Sequence, residues 1–176
     1  LKGQGNVKQI SQVDSIGKSF LLIKHRLFSS FYINELLIRL LTEQISCQQL
    51  FSQYQETLIA LAKGAEIAPQ LRLFELALLE EVGLSFDFSP VFEHDVSYFH
   101  YVAEQGFVPV YDPFPKNRTQ CFDRAHLQVI SQRESLYTNS TTEGVSNTFK
   151  LLMRQVINQL LGNQPLNSRK LFVKKN

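Results

Sequence analysis

The spacing of apolar residues changes several times along the chain, and each change marks an element. Over 24–43 the spacing is helical, with Leu27, Phe31, Ile38 and Leu41 recurring together. Phe28, Tyr32, Ile33, Leu36, Leu37 and Leu40 fill the other side, so this helix is apolar nearly all round and is predicted to be the central core helix. Glu35 and Arg39 are spaced for an i,i+4 pair in its polar remainder. Asn34 falls among the apolar positions, and a buried amide must be hydrogen-bonded, so its expected role is to pin a neighbouring loop or the hairpin. A second, amphipathic helix over 48–63 carries Phe51, Tyr54, Leu58, Leu61 and Ala62 to one side and ends at Gly64. A third is predicted from Pro69 through LRLFELALLEEV to Gly83, with proline in the tolerated first turn and glycine at the carboxyl cap.

The pattern then shortens. YFHYV and FVPVY flank AEQG, which predicts a short β-hairpin, and Pro109 confines its second strand to an edge. A short helix is expected over 122–132, a polar linker over 138–144, and a last long helix over 145–161 with Val145, Phe149, Leu152, Val156 and Leu160 facing the core. LNSRKLF, 166–172, reads as a closing turn or short helix. At the other end, LKGQGNVKQISQVD has a Gly-rich turn and then apolar residues at Val7, Ile10 and Val13, like the end of a strand or hairpin. An isolated hairpin is marginally stable in water, so these strands are expected to belong to a larger sheet. The chain opens at Leu1 rather than methionine, which adds to the expectation of a preceding domain.

With 176 residues, 44% of them hydrophobic, there is apolar material for one sizeable core, so one domain with an appendage is expected. A net charge of +2 does not by itself imply nucleic acid. Cys47 and Cys121 are too few and too far apart for a disulfide framework, which points to a reducing compartment, and structural zinc needs about four ligands. No apolar run is long enough to cross a bilayer and no cleavable signal pattern occurs, so a cytoplasmic protein without a membrane partner is expected.

Enzymatic chemistry finds little support. Of His25, His94, His100 and His126, only His94 and His100 are close in sequence, which falls short of a metal ligand set. Ser29 and Ser30 lie inside a helix without a nucleophile-elbow context, and no phosphate-cradling glycine loop is present. Glu80 and Glu81 are adjacent on a helix, where side chains diverge by about 100°, and fit a solvated face better than an acid–base pair.

Two features lean towards binding. On a helical wheel Leu71, Phe74, Leu78 and Val82 share one face, while Arg72, Leu76 and Leu79 fall on a second strip. A guanidinium beside an apolar strip suits a ligand that ends in a carboxylate and a hydrophobic side chain; the plainer reading is an arginine that pairs with Glu75 or snorkels over its own helix. After Glu143 the chain has no acidic residue, but it has Lys150, Arg154, Arg169, Lys170, Lys174 and Lys175, a run that attracts phosphates non-specifically or simply solvates a helical domain. Lys18, Lys24, His25 and Arg26 make a smaller basic group.

The order and content of FYINELLIRLL (31–41), LRLFELALLEEVGL (71–84) and LNSRKLF (166–172) resemble the RecO family. The resemblance implies an amino-terminal OB-fold, of which 1–15 would be a remnant, followed over 16–176 by a mainly α, bundle-like domain with a small β-hairpin. It further implies a non-enzymatic recombination mediator that binds and anneals single-stranded DNA and acts with RecR to load RecA onto DNA coated by single-stranded DNA-binding protein (SSB). Arg72 and Leu76 are then the expected contacts for the acidic, hydrophobic-ended SSB tail, with Leu79 added from the wheel. Lys18, Lys24, Arg26, Lys150, Arg154, Arg169, Lys170 and Lys174 are the nucleic-acid candidates. Many family members carry a four-cysteine zinc site after the central helix; the stretch 86–118 has no cysteine, so no metal or other cofactor is expected. The alternatives are a domain that binds nucleic acid directly through its basic carboxyl-terminal surface, and a purely structural adaptor.

Overall fold

The structure is a computed structural model that describes residues 12, 14, 19–43, 45–112, 121–132 and 142–172. The strands expected over 1–14 fall outside the described residues except for Gln12 and Asp14, and Lys18, Lys174 and Lys175 are outside as well. The chain order is α1 (His25–Leu40), α2 (Gln48–Ala62), α3 (Ile67–Glu81), the single turn α4 (Ser89–Glu93), β1 (Tyr98–Val102), β2 (Gly106–Val110), β3 (Phe122–Asp123), α5 (Arg124–Ser131), α6 (Glu143–Leu160) and a closing 3-10 turn, Ser168–Phe172.

The fold is mainly helical with a small sheet, as the spacing predicts. The hairpin pairs Tyr98 with Val110 and Val102 with Gly106, and the sheet order β2-β1-β3 leaves Pro109 on an edge strand. The short strand β3, paired to β1 through Phe122 and Phe99, was not predicted; two residues are too few for a periodic signal. Its Asp123 also caps α5, accepting from the backbone N–H groups of Ala125 at 2.9 Å and His126 at 3.3 Å. Helix α3 ends as glycine allows: Gly83 has φ +78°, and the N–H groups of Gly83 and Leu84 close back on the carbonyls of Glu80 and Leu79.

The central helix is α3, not α1. Leu71, Leu73, Phe74, Glu75, Leu76, Leu78 and Leu79 are all buried, and they feed two apolar clusters on different sides of the helix. One joins Leu73, Leu76 and Leu79 to Phe99, Phe107, Phe149 and Leu152; the other joins Leu71, Phe74 and Leu78 to Tyr32, Ile33, Leu36 and Leu61. Each such leucine contributes about 1.5–3 kcal/mol by leaving water.

Helix α1 covers one side of this arrangement through Ser29, Ser30, Tyr32, Ile33 and Leu36. Phe31 (46% exposed) and Ile38 (82%) face out, correcting the expectation of a helix buried all round. The serine hydroxyls donate to the carbonyls of His25 and Leu27 within α1, each at 2.8 Å, so the small side chains lie under the helix without an unmet donor. Asn34 is half-buried and accepts from the Tyr54 hydroxyl at 3.0 Å, so it pins α2 rather than a loop or the hairpin.

Glu35 and Arg39 make the expected i,i+4 pair at 3.4 Å, but their larger role is tertiary. Arg39 donates to the carbonyl of Pro165 and to Oε1 of Gln164, each at 3.1 Å. The Glu35 carboxylate accepts from the backbone N–H of Asn167 (2.8 Å) and from both the N–H (2.8 Å) and hydroxyl (2.7 Å) of Ser168. The closing turn is thereby fastened to α1.

Candidate docking groove

A groove of about 290 Å3 opens where α1, α3, α6 and the closing turn meet. Its apolar surface comes from Tyr32, Leu71 and Phe172, and its charge from Arg72, Lys150, Arg154 and Arg169. Lys150 and Arg154 are one turn apart on the exposed side of α6, and neither makes an ion pair among the described residues. Arg169 donates to Asn158 Oδ1 at 2.8 Å, a neutral partner, and makes no ion pair among the described residues.

Under the groove lies a buried acid. Glu75 is 0% exposed; its Oε1 accepts from the Tyr32 hydroxyl at 2.6 Å and its Oε2 lies 2.8 Å from Nη1 of Arg72. Burial pushes the Glu75 carboxyl above its ordinary range, opposed by the Arg72 charge, the Tyr32 hydrogen bond and the Arg169 charge. Tyr32 is likewise pushed up, first by burial and then by the neighbouring Glu75 charge. Although Arg72 and Oε2 are in ion-pair contact, Oε2 receives no aligned hydrogen bond. Nη1 of Arg72 is committed to the carboxylate as an ion pair, and no further hydrogen bond from this guanidinium is made among the described residues.

The predicted site residues divide into those that the groove collects and those that it does not. Arg72, Lys150, Arg154 and Arg169 come together, although the sequence reading had assigned Arg72 to one ligand and the other three to another. Leu76 and Leu79 do not line this groove with them. They are 6% and 1% exposed and packed in the cluster on the sheet side. Four residues advance a helix by about 400°, so Leu76 is rotated some 40° from Arg72 in the direction opposite to Leu71, towards the sheet-side cluster. Leu71 provides the apolar wall instead.

Arg26 is also turned away: its Nη2 donates to the carbonyl of Gly64 at 2.9 Å, beyond the end of α2. Lys24 and Lys170 are exposed outside the groove lining, and Lys170 donates to Asn167 Oδ1 at 3.2 Å. Sequence reading missed Tyr32, Leu71 and Phe172 as groove residues. The available signal was that Tyr32, Arg72 and Arg169 each belong to one of the family-like segments.

A second cavity of about 360 Å3 lies between α2 and α3, lined by Gln49, Gln53, Glu80 and Glu81 over Leu73 and Leu76. Its polar groups are amides and carboxylates, and nothing in them converges on a reacting atom. Among the described residues no cluster of three or more His, Cys, Asp or Glu forms a metal site, and no helix is long and apolar enough to cross a membrane.

Residues 25–104 match the family model described as Recombination protein O C terminal. The "DNA repair protein RecO" of Pseudomonas putida strain W619 is 35% identical over 183 aligned residues, which cover 99% of this chain and 75% of that protein. Its namesakes from Psychromonas ingrahamii and Alteromonas mediterranea are 32% and 31% identical, covering 98% and 99% of this chain and 73% and 74% of their own lengths. The chain belongs to the RecO family of DNA repair proteins.

Proposed function

We propose that the groove receives the acidic, hydrophobic-ended carboxyl-terminal tail of SSB, and that this contact tethers a non-enzymatic recombination mediator to coated single-stranded DNA. The terminal aromatic residue of the tail seats among Leu71, Tyr32 and Phe172, and its acidic groups meet Arg72, Lys150, Arg154 and Arg169. Strand annealing, and loading of RecA together with RecR, follow from that placement; the protein makes and breaks no bond. In the same reading, residues 1–15 are the end of an amino-terminal OB-fold and 16–176 form the helical domain.

The observation that carries this reading is the state of Arg72. A guanidinium on the groove wall, its side chain 15% exposed, is paired through Nη1 with Glu75 and presents its remaining donors beside an apolar wall and three further cations. A titration of a labelled tail peptide tests it: binding is expected, and removal of the last aromatic residue should abolish most of it. Equal binding by both peptides would eliminate the apolar pocket as the recognition element.

A direct nucleic-acid reading draws on one observation, that Lys150, Arg154 and Arg169 share the groove. It predicts log affinity for single-stranded DNA falling with log salt by about 0.7 per phosphate contacted, with no requirement for a terminal aromatic ligand.

A further inference from the structure

The tail-docking reading leaves Glu75 without a role, yet a fully buried carboxylate beneath a cationic groove is costly to keep. Were it there only to balance charge, it would weaken the groove's attraction for an acidic ligand. Its contacts point elsewhere. Tyr32 on α1 donates to one oxygen at 2.6 Å, which fixes the plane of the carboxylate, and Arg72 lies one helical turn back at 2.8 Å from the other. An arginine side chain has several rotatable bonds, and holding it in one pose costs rotamer freedom. A charge anchored beneath it meets that cost before a ligand arrives. The anchor engages Nη1 and leaves the rest of the Arg72 guanidinium without a hydrogen bond among the described residues.

We infer that Glu75 is a positioning residue that holds Arg72 in its ligand-ready pose on the groove wall, and that Tyr32 in turn orients Glu75. This rests on the tail-docking reading and deepens it, because it names what preorganises Arg72: Glu75, which lies outside the groove lining, and the Tyr32 hydroxyl, whose ring lines the groove. The Arg169 charge on the closing turn also acts on Glu75 but makes no ion pair to it, and Lys150 and Arg154, which line the same groove, make none either. Arg72 is therefore the group through which it acts.

The test measures affinity for the labelled, acidic, aromatic-ended peptide by fluorescence anisotropy with the chain and its Glu75→Gln, Tyr32→Phe, Arg72→Gln and Arg72→Gln/Glu75→Gln variants, each checked for fold by circular dichroism. Glu75→Gln is expected to weaken binding at least fivefold even though it removes a negative charge, and Tyr32→Phe by a smaller factor. Adding Glu75→Gln to Arg72→Gln should change affinity less than twofold. Unchanged or tighter binding by Glu75→Gln would show that the acid only subtracts charge, and would overturn the inference. So would an equal loss with and without Arg72. If Glu75→Gln does not fold, Tyr32→Phe decides: full affinity in that variant overturns the relay. A wild-type chain that does not bind the peptide removes the docking reading itself, and this inference with it, whereas binding by wild type with an indifferent Glu75 removes only the inference.

Discussion

The Glu35 carboxylate accepts both the backbone N–H and the hydroxyl of Ser168, at 2.8 and 2.7 Å, across 133 positions of sequence. Helix α1 thereby sets where Arg169 and Phe172 stand, and two walls of the groove depend on one acid that never enters it. Two of the family-like segments, 31–41 and 166–172, are joined by this contact.

Glu35→Gln should therefore destabilise the chain by about 1.5–3 kcal/mol, the range for hydrogen bonds to a charged group, and should loosen the closing turn first. Urea unfolding gives the first quantity, and amide exchange over 166–172 the second. Unaltered exchange there would mean that Arg39 holds the turn alone.

The same contact has a pH signature. Partial burial pushes the Glu35 carboxyl up, but the hydrogen bonds from Ser168 and Asn167 and the Arg39 charge outweigh it and hold the group below its ordinary 4.5. A depressed carboxylate contributes stability that is complete above its unfolded value and is lost as pH falls through the folded one. The stability gap between wild type and Glu35→Gln is expected to be constant from neutral pH down to about 5 and to narrow below 4.5. A gap that narrows already at pH 6 would assign the effect to another group.

Arg72→Gln leaves Glu75 buried without its counter-charge, which should cost about 3 kcal/mol at neutral pH. Burial already raises the Glu75 carboxyl, and an acid raised by folding destabilises progressively as pH climbs past its unfolded value. The deficit of Arg72→Gln should therefore shrink as pH is lowered towards 4.5, because Glu75 takes up a proton. Urea midpoints at pH 7 and pH 5 measure this; a deficit independent of pH would count against an ionised Glu75.

Two isoleucines on α1 test the orientation of that helix. Ile33 is 0% exposed and Ile38 is 82% exposed. Ile33→Ala should cost about 2–4 kcal/mol in thermal or urea unfolding, and Ile38→Ala within about 0.5 kcal/mol of nothing. Comparable losses would mean that the exposed strip is covered in solution.

Asp123 is expected to matter locally. Asp123→Ala removes the cap that accepts from Ala125 and His126, for a loss of about 1 kcal/mol and faster amide exchange in the first turn of α5. Exchange confined to the sheet instead would show that β3 pairing, rather than the cap, had been lost.

Local spacing determined a good deal of this protein. It placed every helix of eight residues or more within a few residues of its observed ends, found the hairpin and its edge proline, and singled out Arg72 beside apolar neighbours. These features depend on residues within a turn or two of one another, so the order of residues records them directly. Tertiary structure decided the rest. A helix with apolar residues on all sides does not say which of them face in, and α1 turned Ile33 inward and Ile38 outward according to what α3 offered to cover. A wheel of α3 by itself put Leu76 and Leu79 with Arg72, whereas the groove took Leu71 from the same helix and Tyr32 and Phe172 from segments far along the chain. The clamp from Glu35 to Ser168 and the anchor from Tyr32 to Glu75 span 133 and 43 positions. Contacts of that range leave no periodic trace, because they form only once the helices between them have packed.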